Sequence, residues 1–158
     1  MDPRRRSAWV VAGFATALYL ALVVFAYGFV SLLTDAEVIA NPDAGLFVGP
    51  AIVGASVVVL LLHLGRVLRR PERVLAPTLL AALWTWLAAV AVAVVGYAIA
   101  TGTVLASLLF GLGFGVSPFG LVIPACAAFV TWLGLLVAGA QAAGADRPRW
   151  PWERRDEE

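Results

Sequence analysis

The sequence is poor in the residues on which soluble proteins and most catalytic or metal sites depend. It contains no lysine, one histidine and one cysteine, and only 13% of its 158 residues are charged. Soluble domains normally carry about twice that charged fraction. The lone Cys126 excludes an internal disulfide, and the lone His63 leaves a haem or a zinc ion without its usual further ligands. We therefore expect no cofactor, no metal and no nucleic-acid partner.

What the sequence has in excess is apolar residues, which make up 62% of the chain and give a mean hydropathy of +0.93. A helix needs about 20 mostly apolar residues to cross about 30 Å of hydrocarbon. Four stretches meet this requirement, at about residues 8–33, 46–64, 75–100 and 119–140. The sequence therefore predicts an all-α integral membrane protein, with an up-and-down four-helix bundle in residues 1–145 and a charged tail in residues 146–158.

The basic residues lie on one side of this predicted bundle. All 11 are arginines, and they occur before the first span, between the second and third spans, and after the fourth. Because short arginine-rich connections stay in the cytoplasm, we predict a bacterial inner (plasma) membrane protein with both termini and the tail in the cytoplasm. His63 is expected to point towards the headgroups of this surface. Further contacts with lipid headgroups are expected for Arg66, Arg69, Arg70, Arg73, Trp150 and Trp152.

The predicted spans contain no aspartate, glutamate, lysine or arginine. Such a residue costs at least about 2.5–3.5 kcal/mol on insertion and is usually kept for an ion or proton pathway. Its absence argues against a proton-coupled pump. The serines also have no histidine at their own depth that would activate them as nucleophiles. We therefore predict that the protein is not an enzyme.

Small residues recur at intervals of four within the predicted helices. Between helices in lipid there is no hydrophobic driving force, so association depends on close van der Waals fit along such stripes. We therefore expect helix contacts at Gly13, Ala17 and Ala21, at Thr85, Ala89 and Ala93, at Gly111 and Gly115, and at Gly134 and Ala138.

A glycine-rich stretch, FGLGFGVSPFG at residues 110–120, precedes the fourth span. Its spacing does not match G-x-G-x-x-G, and no lysine lies beside it, which argues against a nucleotide site. We predict a short interfacial helix at about residues 104–110 that is loosened by the glycines. A turn then follows in which Ser117 caps the fourth span and Pro118 begins it. A ligand-binding or pore-lining role for the stretch stays open beside this turn with a packing role.

The connection between the first two spans reads TDAEVIANPDAG. Thr34 and Glu37 have the spacing of a capping box, and Asn41 followed by Pro42 predicts a turn. The connection also holds three acidic residues and no basic one. It is interpreted as a solvated loop, with a weak cation site as the alternative.

The four spans, the TDAEVIANPDAG connection followed by GLFVGP, and the all-arginine basic set resemble the small four-helix membrane proteins of GC-rich bacteria that form families of unknown function. The resemblance covers the whole chain, implies the fold and carries over no site residue. The chain differs from small multidrug exporters in lacking a membrane-embedded glutamate, and from disulfide-relay bundles in lacking cysteine pairs. We expect a non-enzymatic bundle that packs with itself or within a larger membrane complex. The alternative is a facilitator or channel for a small neutral or apolar solute.

Overall fold

The computed structural model describes residues 3–39, 41–68 and 74–142. These residues form helices and turns and no strand, which confirms the all-α prediction. A 3₁₀ turn, Pro42–Ala44, follows the first helix. The five α-helices are α1 (Pro3–Thr34), α2 (Val48–Val67), α3 (Leu75–Thr101), α4 (Val104–Val116) and α5 (Pro118–Ala142).

Four of the five helices are long and apolar enough to cross a membrane. Within the spans, between 22% and 33% of the most apolar window is buried inside the structure. Most of their apolar surface therefore faces outwards, which is stable in lipid and unfavourable in water. The helices are those of a multi-pass membrane protein. The spans are Ala8–Thr34, Val48–Val67, Leu75–Thr101 and Pro118–Ala140.

Helices α1 and α2 run antiparallel, as their contacts show. Near the start of α1, Trp9 covers Gly65 so closely that a Cβ on this glycine would lie 2.7 Å from the indole ring. Further along α1, the hydroxyl of Tyr19 donates a hydrogen bond of 2.9 Å to Ser56 Oγ. The partner residue moves back along α2 as α1 advances. The glycine and the buried hydroxyl pair fix the register of the two helices.

Helices α2 and α3 are also antiparallel. Val48, at the start of α2, lies against Gly96 near the end of α3. His63, near the end of α2, donates from Nε2 to the carbonyl oxygen of Pro77 at 3.0 Å. The expectation that His63 points towards the headgroups is therefore corrected. The imidazole is half-buried and bonds across to α3, because a polar group between two helices needs a partner.

Helix α3 is the element that most of the structure packs around. It contacts α2, α4 and α5, whereas α1 contacts α2 and α5. The side of α3 that carries Thr85, Ala89 and Ala93 is 0% exposed. With side chains this small, the α3 backbone lies close to its neighbours, and the core is formed by residues that they contribute, such as Ile52 and Ile123.

Replacing Ala89 by leucine should lower the melting temperature of the detergent-solubilised protein. The three added carbons have no room where α3 meets its neighbours, and overpacking of a core costs about 1–3 kcal/mol. The matched control is Ala91→Leu, two residues away on an exposed side of the same helix, which should leave the melting temperature unchanged. Equal losses at the two positions would show that the burial of Ala89 does not reflect a close helix contact.

Candidate functional site

Most of the glycine-rich stretch, residues 110–116, lies in α4 rather than in a turn. The helix begins at Val104, where it was predicted, but it continues to Val116 instead of ending near residue 110. Glycine disfavours a helix by about 1 kcal/mol per residue relative to alanine, and here contacts with α3 compensate for that preference. The change of direction is confined to Ser117, whose extended backbone (φ −67°, ψ 157°) ends α4.

Two of the glycines let α4 lie directly on α3. A Cβ on Gly111 would overlap the side chain of Val94, and a Cβ on Gly115 would lie 2.8 Å from Val90 Cγ2. Because the partner residue number falls in α3 as it rises in α4, α4 runs back along α3. The indole of Trp86 also donates a hydrogen bond of 3.0 Å to the Gly115 carbonyl oxygen, near the end of α4. This short helix is therefore held to α3 by shape and by one polar contact.

The role of Trp86 was not predicted from the sequence. The sequence feature that indicates such a role is an indole N–H inside an apolar span, because a buried donor needs an acceptor. The sequence shows the donor but not the acceptor. The carbonyl of Gly115 lies 29 positions later in the chain and becomes available only because α4 ends there.

The corner between α4 and α5 is organised by Ser117, the residue predicted to cap the last helix. Its hydroxyl donates to the Phe114 carbonyl oxygen at 2.7 Å and accepts from the backbone N–H of Gly120 at 3.1 Å. One side chain therefore closes α4 and opens α5, as expected of an N-cap serine. The two helix ends touch, since a Cβ on Gly120 would overlap the Phe114 carbonyl.

The predicted capping box in the connection between α1 and α2 is not formed. Thr34 is the last residue of α1, and its hydroxyl donates to the Val30 carbonyl oxygen at 2.8 Å. Asp35 then takes a left-handed conformation, with φ at 48°, which ends the helix. No helix begins at Thr34, so Glu37 is not in the first turn of one. Its side chain remains exposed.

The predicted turn at Asn41 is present. The Asn41 side-chain oxygen accepts from the backbone N–H of Asp43 at 3.0 Å, and the 3₁₀ turn follows. Asn41 also donates from Nδ2 to the hydroxyl of Tyr97 at 3.1 Å. The Tyr97 ring stacks on Phe110 with centroids 4.5 Å apart. The connection is thereby fixed to α3 and, through Tyr97, to α4.

An open cleft of about 450 Å³ lies between this connection and the α4–α5 corner. We call it the corner cleft. One wall, from the end of α1 and the connection, carries the polar residues Thr34, Glu37 and Asn41 beside Ala36 and Val38, and the other is apolar and comes from α4 and the start of α5. A molecule with an apolar part and a polar part matches this division. Its lining includes Thr34, Glu37, Val38, Asn41, Leu109, Phe110, Gly113, Phe114, Ser117 and Phe119.

The acidic residues of the connection do not form a metal centre. Asp35, Glu37 and Asp43 are exposed. Within the described ranges, no group of three or more histidine, cysteine, aspartate or glutamate residues is placed to hold a metal ion. The weak cation site considered for this connection therefore has no metal-binding geometry.

The small-residue stripe of α1 faces away from the rest of the chain. Gly13, Ala17 and Ala21 are exposed, and no atom lies within 4 Å of a Cβ built on Gly13 or on Gly28, seven residues beyond Ala21 on the same side. Helix α1 buries its other side, including Tyr19, in the core. Within the described part of the chain, the structure therefore leaves this stripe exposed. We call Gly13, Ala17, Ala21 and Gly28 the α1 face.

The remaining predicted residues are distributed as follows. Gly134 is buried, with a Cβ position 3.8 Å from Leu68 Cδ2, and Ala138 is half-buried. Arg66 is exposed and donates to the Leu62 carbonyl oxygen at 3.3 Å. The other candidates for headgroup contact lie outside the described residues: Arg69, Arg70, Arg73, Trp150 and Trp152.

Most buried hydroxyls bond within their own helix. Those of Thr16, Ser56 and Thr85 donate to backbone carbonyls three or four residues earlier. Such bonds satisfy the donors locally, so these hydroxyl hydrogens are not directed into a shared path between helices. Among the described residues, Tyr27 and Thr131 carry buried hydroxyls that have no hydrogen-bond partner.

Comparison with known proteins identifies one family. The profile of a family of unknown function, DUF6121, matches residues 1–158, which confirms the expectation of such a family. No curated protein and no solved structure matches the chain. The family match covers α1, α4 and the connection that lines the corner cleft, and its description assigns no activity to them.

The contacts of α4 predict opposite effects of alanine at two neighbouring glycines. Gly111→Ala should lower the melting temperature, because the new methyl group overlaps Val94 and lies 3.2 Å from the Val90 carbonyl oxygen, and overpacking costs about 1–3 kcal/mol. Gly113→Ala should raise the melting temperature, because alanine favours a helix and the space at that position is open. The expected gain in the free energy of unfolding is up to about 1 kcal/mol. Thermal unfolding in detergent measures both. Equal effects would contradict the packing of α4 on α3.

Proposed function

The chain belongs to the family of unknown function DUF6121 over residues 1–158, and we propose that it is a non-enzymatic membrane protein that acts by helix packing. In this proposal, the α1 face is its contact with a second copy. Membership of a larger membrane complex through the same face is the broader form of this proposal. The observation that carries it is the outward direction of the small residues on α1.

In α3 and α4, several small residues lie where helices meet. Ala89 and Ala93 are fully buried in α3, and Gly111 and Gly115 meet side chains of α3. The small residues of the α1 face recur mainly at the same spacing but are exposed among the described residues. Lipid tails gain nothing from a flat small-residue surface, whereas another helix gains close backbone approach and van der Waals contact. A second helix is therefore the partner that such a surface favours.

The shape around the α1 face supports a helix as the partner. Phe14 and Phe25 beside it are 77% and 71% exposed, and Phe25 stacks on Phe29 with ring centroids 6.2 Å apart. Because Phe25 follows Ala21 by four residues, it continues the row of small residues, and a partner helix would contact both small residues and exposed rings. Two copies related by a twofold axis place the same surface on both sides of the contact, as most homodimers do.

We also propose an up-and-down arrangement in a bacterial inner membrane with both termini in the cytoplasm. The antiparallel contacts of α1 with α2 and of α2 with α3 support alternating directions. The sequence contains no arginine or lysine from Ser7 to Gly65 or from Val74 to Asp146. Each arginine-containing segment therefore falls on the same side, and arginine-rich segments stay in the cytoplasm.

A reporter enzyme tests the orientation. Alkaline phosphatase, which is active only outside the cytoplasm, should be inactive when fused after Glu158 and active when inserted between Thr34 and Gly45. The reverse pattern would contradict both the orientation and the arginine-based reasoning.

A single enlargement tests the α1 face. Ala17→Leu should shift the purified protein from a dimer to a monomer, because the added side chain separates two α1 backbones. The melting temperature of the Ala17→Leu monomer should equal that of the wild-type protein when it is dissociated into monomers. The reason is that position 17 is exposed within the chain. The measurement is the protein mass in detergent by light scattering.

The matched control for this change is Ala125→Leu on an exposed side of α5. It adds the same carbons to a helix without an outward stripe of this kind and should leave the mass unchanged. A monomeric wild-type protein, or a dimer that persists in Ala17→Leu, would refute self-association through the α1 face.

A further inference from the structure

We propose that the corner cleft binds a membrane lipid whose headgroup carries a protonated amine. The acyl chain lies against α4 and the start of α5, and the amine pairs with Glu37. This site is separate from the α1 face, and none of the α1-face residues lines it.

The apolar wall is suited to a lipid chain. Leu109 is 64% exposed beside the cleft, while Phe114 and Phe119 are buried at its inner side. Between them, Gly113 carries no side chain, and no atom lies within 4 Å of the position that its Cβ would occupy. The result is a furrow in the surface of α4. Its volume of about 450 Å³ is within the range of small-molecule pockets, about 300–1,000 Å³.

The surroundings indicate that the occupant comes from the bilayer. The outward residues of α4 are large and apolar, and they include Leu105, Leu112 and Val116. A helix of this kind is stable when lipid surrounds it. Because α4 lines the cleft, a lipid chain that lies against this helix is next to the cleft.

The charge of the cleft selects the headgroup. Glu37 lines it, with Asp35 and Asp43 in the same connection. No arginine or lysine occurs from Ser7 to Gly65, or in the sequence of α3, α4 and α5. The elements that line the cleft thus offer this carboxylate no cationic side chain, and an anionic headgroup would be repelled.

Other polar groups of the cleft do not supply the missing positive charge. The Thr34 hydroxyl donates to Val30, which leaves its oxygen as an acceptor, and the Asn41 amide, which donates to Tyr97 and accepts from Asp43, is neutral. The negative end of the α4 dipole and the positive end of the α5 dipole meet at Ser117 and largely offset each other. A protonated amine is the group that complements the Thr34 oxygen and Glu37.

Paired lipids test the proposal. Phosphatidylethanolamine and phosphatidylglycerol with identical acyl chains are added to the delipidated full-length protein in detergent, and bound lipid is counted by native mass spectrometry. The amine lipid should bind about two- to fivefold more tightly, the ratio expected for an ion pair at an exposed carboxylate. Glu37→Gln should remove this preference. Asp43→Asn, in the same connection but outside the cleft lining, should retain it.

Filling the cleft gives a second readout that does not depend on charge. Gly113→Leu adds a side chain at a cleft-lining position where a Cβ meets open space, and it should weaken the binding of both lipids. Gly54→Leu on α2, where a Cβ also meets open space, is the matched control and should bind both lipids as wild type does. The Ala17→Leu variant should also bind as wild type, so a failure of the dimer proposal is separable from a failure of this one.

Three outcomes would overturn the proposal. Equal binding of the two lipids, or stronger binding of phosphatidylglycerol, would refute the amine specificity. Unchanged lipid binding in Gly113→Leu would place the lipid elsewhere on the protein. Tight binding of hexadecylammonium in a wild-type protein that does not bind phosphatidylethanolamine would assign the cleft to a soluble amphipathic amine instead of a lipid.

Discussion

The close approach of α3 to its neighbours is the constraint on which the rest of the structure depends. Helices in lipid are not driven together by the hydrophobic effect, so the distance between backbones decides how much van der Waals contact they gain. The fully buried positions Ala81, Thr85, Ala89 and Ala93 keep that distance short along α3. Helices α2, α4 and α5 all contact this one helix, so an increase in its thickness would disturb each contact.

The corner cleft is a consequence of that packing. Gly111 and Gly115 seat α4 on α3, and the Trp86 indole holds the end of α4 in place. Ser117 then joins α4 to α5 within a single residue. A loose glycine loop in the same place would present neither a fixed apolar wall nor a furrow at Gly113. The packing interaction and the proposed binding site therefore share one cause, which is a helix that contains three glycines and is held on α3.

Local patterns in the sequence predicted the features that depend on a few neighbouring residues. These include the four long apolar helices, the start of α4, the cap at Ser117 and the turn at Asn41. The helical state of Gly113 was not predictable in this way, because contacts of its neighbours with α3 decide it. The direction of a small-residue stripe was not predictable either. Ala17 and Ala89 stand in equally apolar stretches with equal spacing, and in lipid neither side of a helix is marked by polarity, so only the positions of the other helices separate an inner stripe from an outer one.

The two proposed contacts use what the folded chain leaves without a partner, and each arises for a different physical reason. The α1 face lacks side-chain bulk, so it gains most from a surface as rigid and close as another helix. The corner cleft has bulk on one wall and the Glu37 carboxylate on the other, so it gains most from a flexible chain that ends in a cation. Because the cleft is lined by α4, the connection and the ends of α1 and α5, and not by the α1 face, pairing of two copies through that face leaves the lining residues available. In a dimer with one amine lipid bound to each copy, the α1 face would be covered by the second copy and the corner cleft would be filled by the lipid.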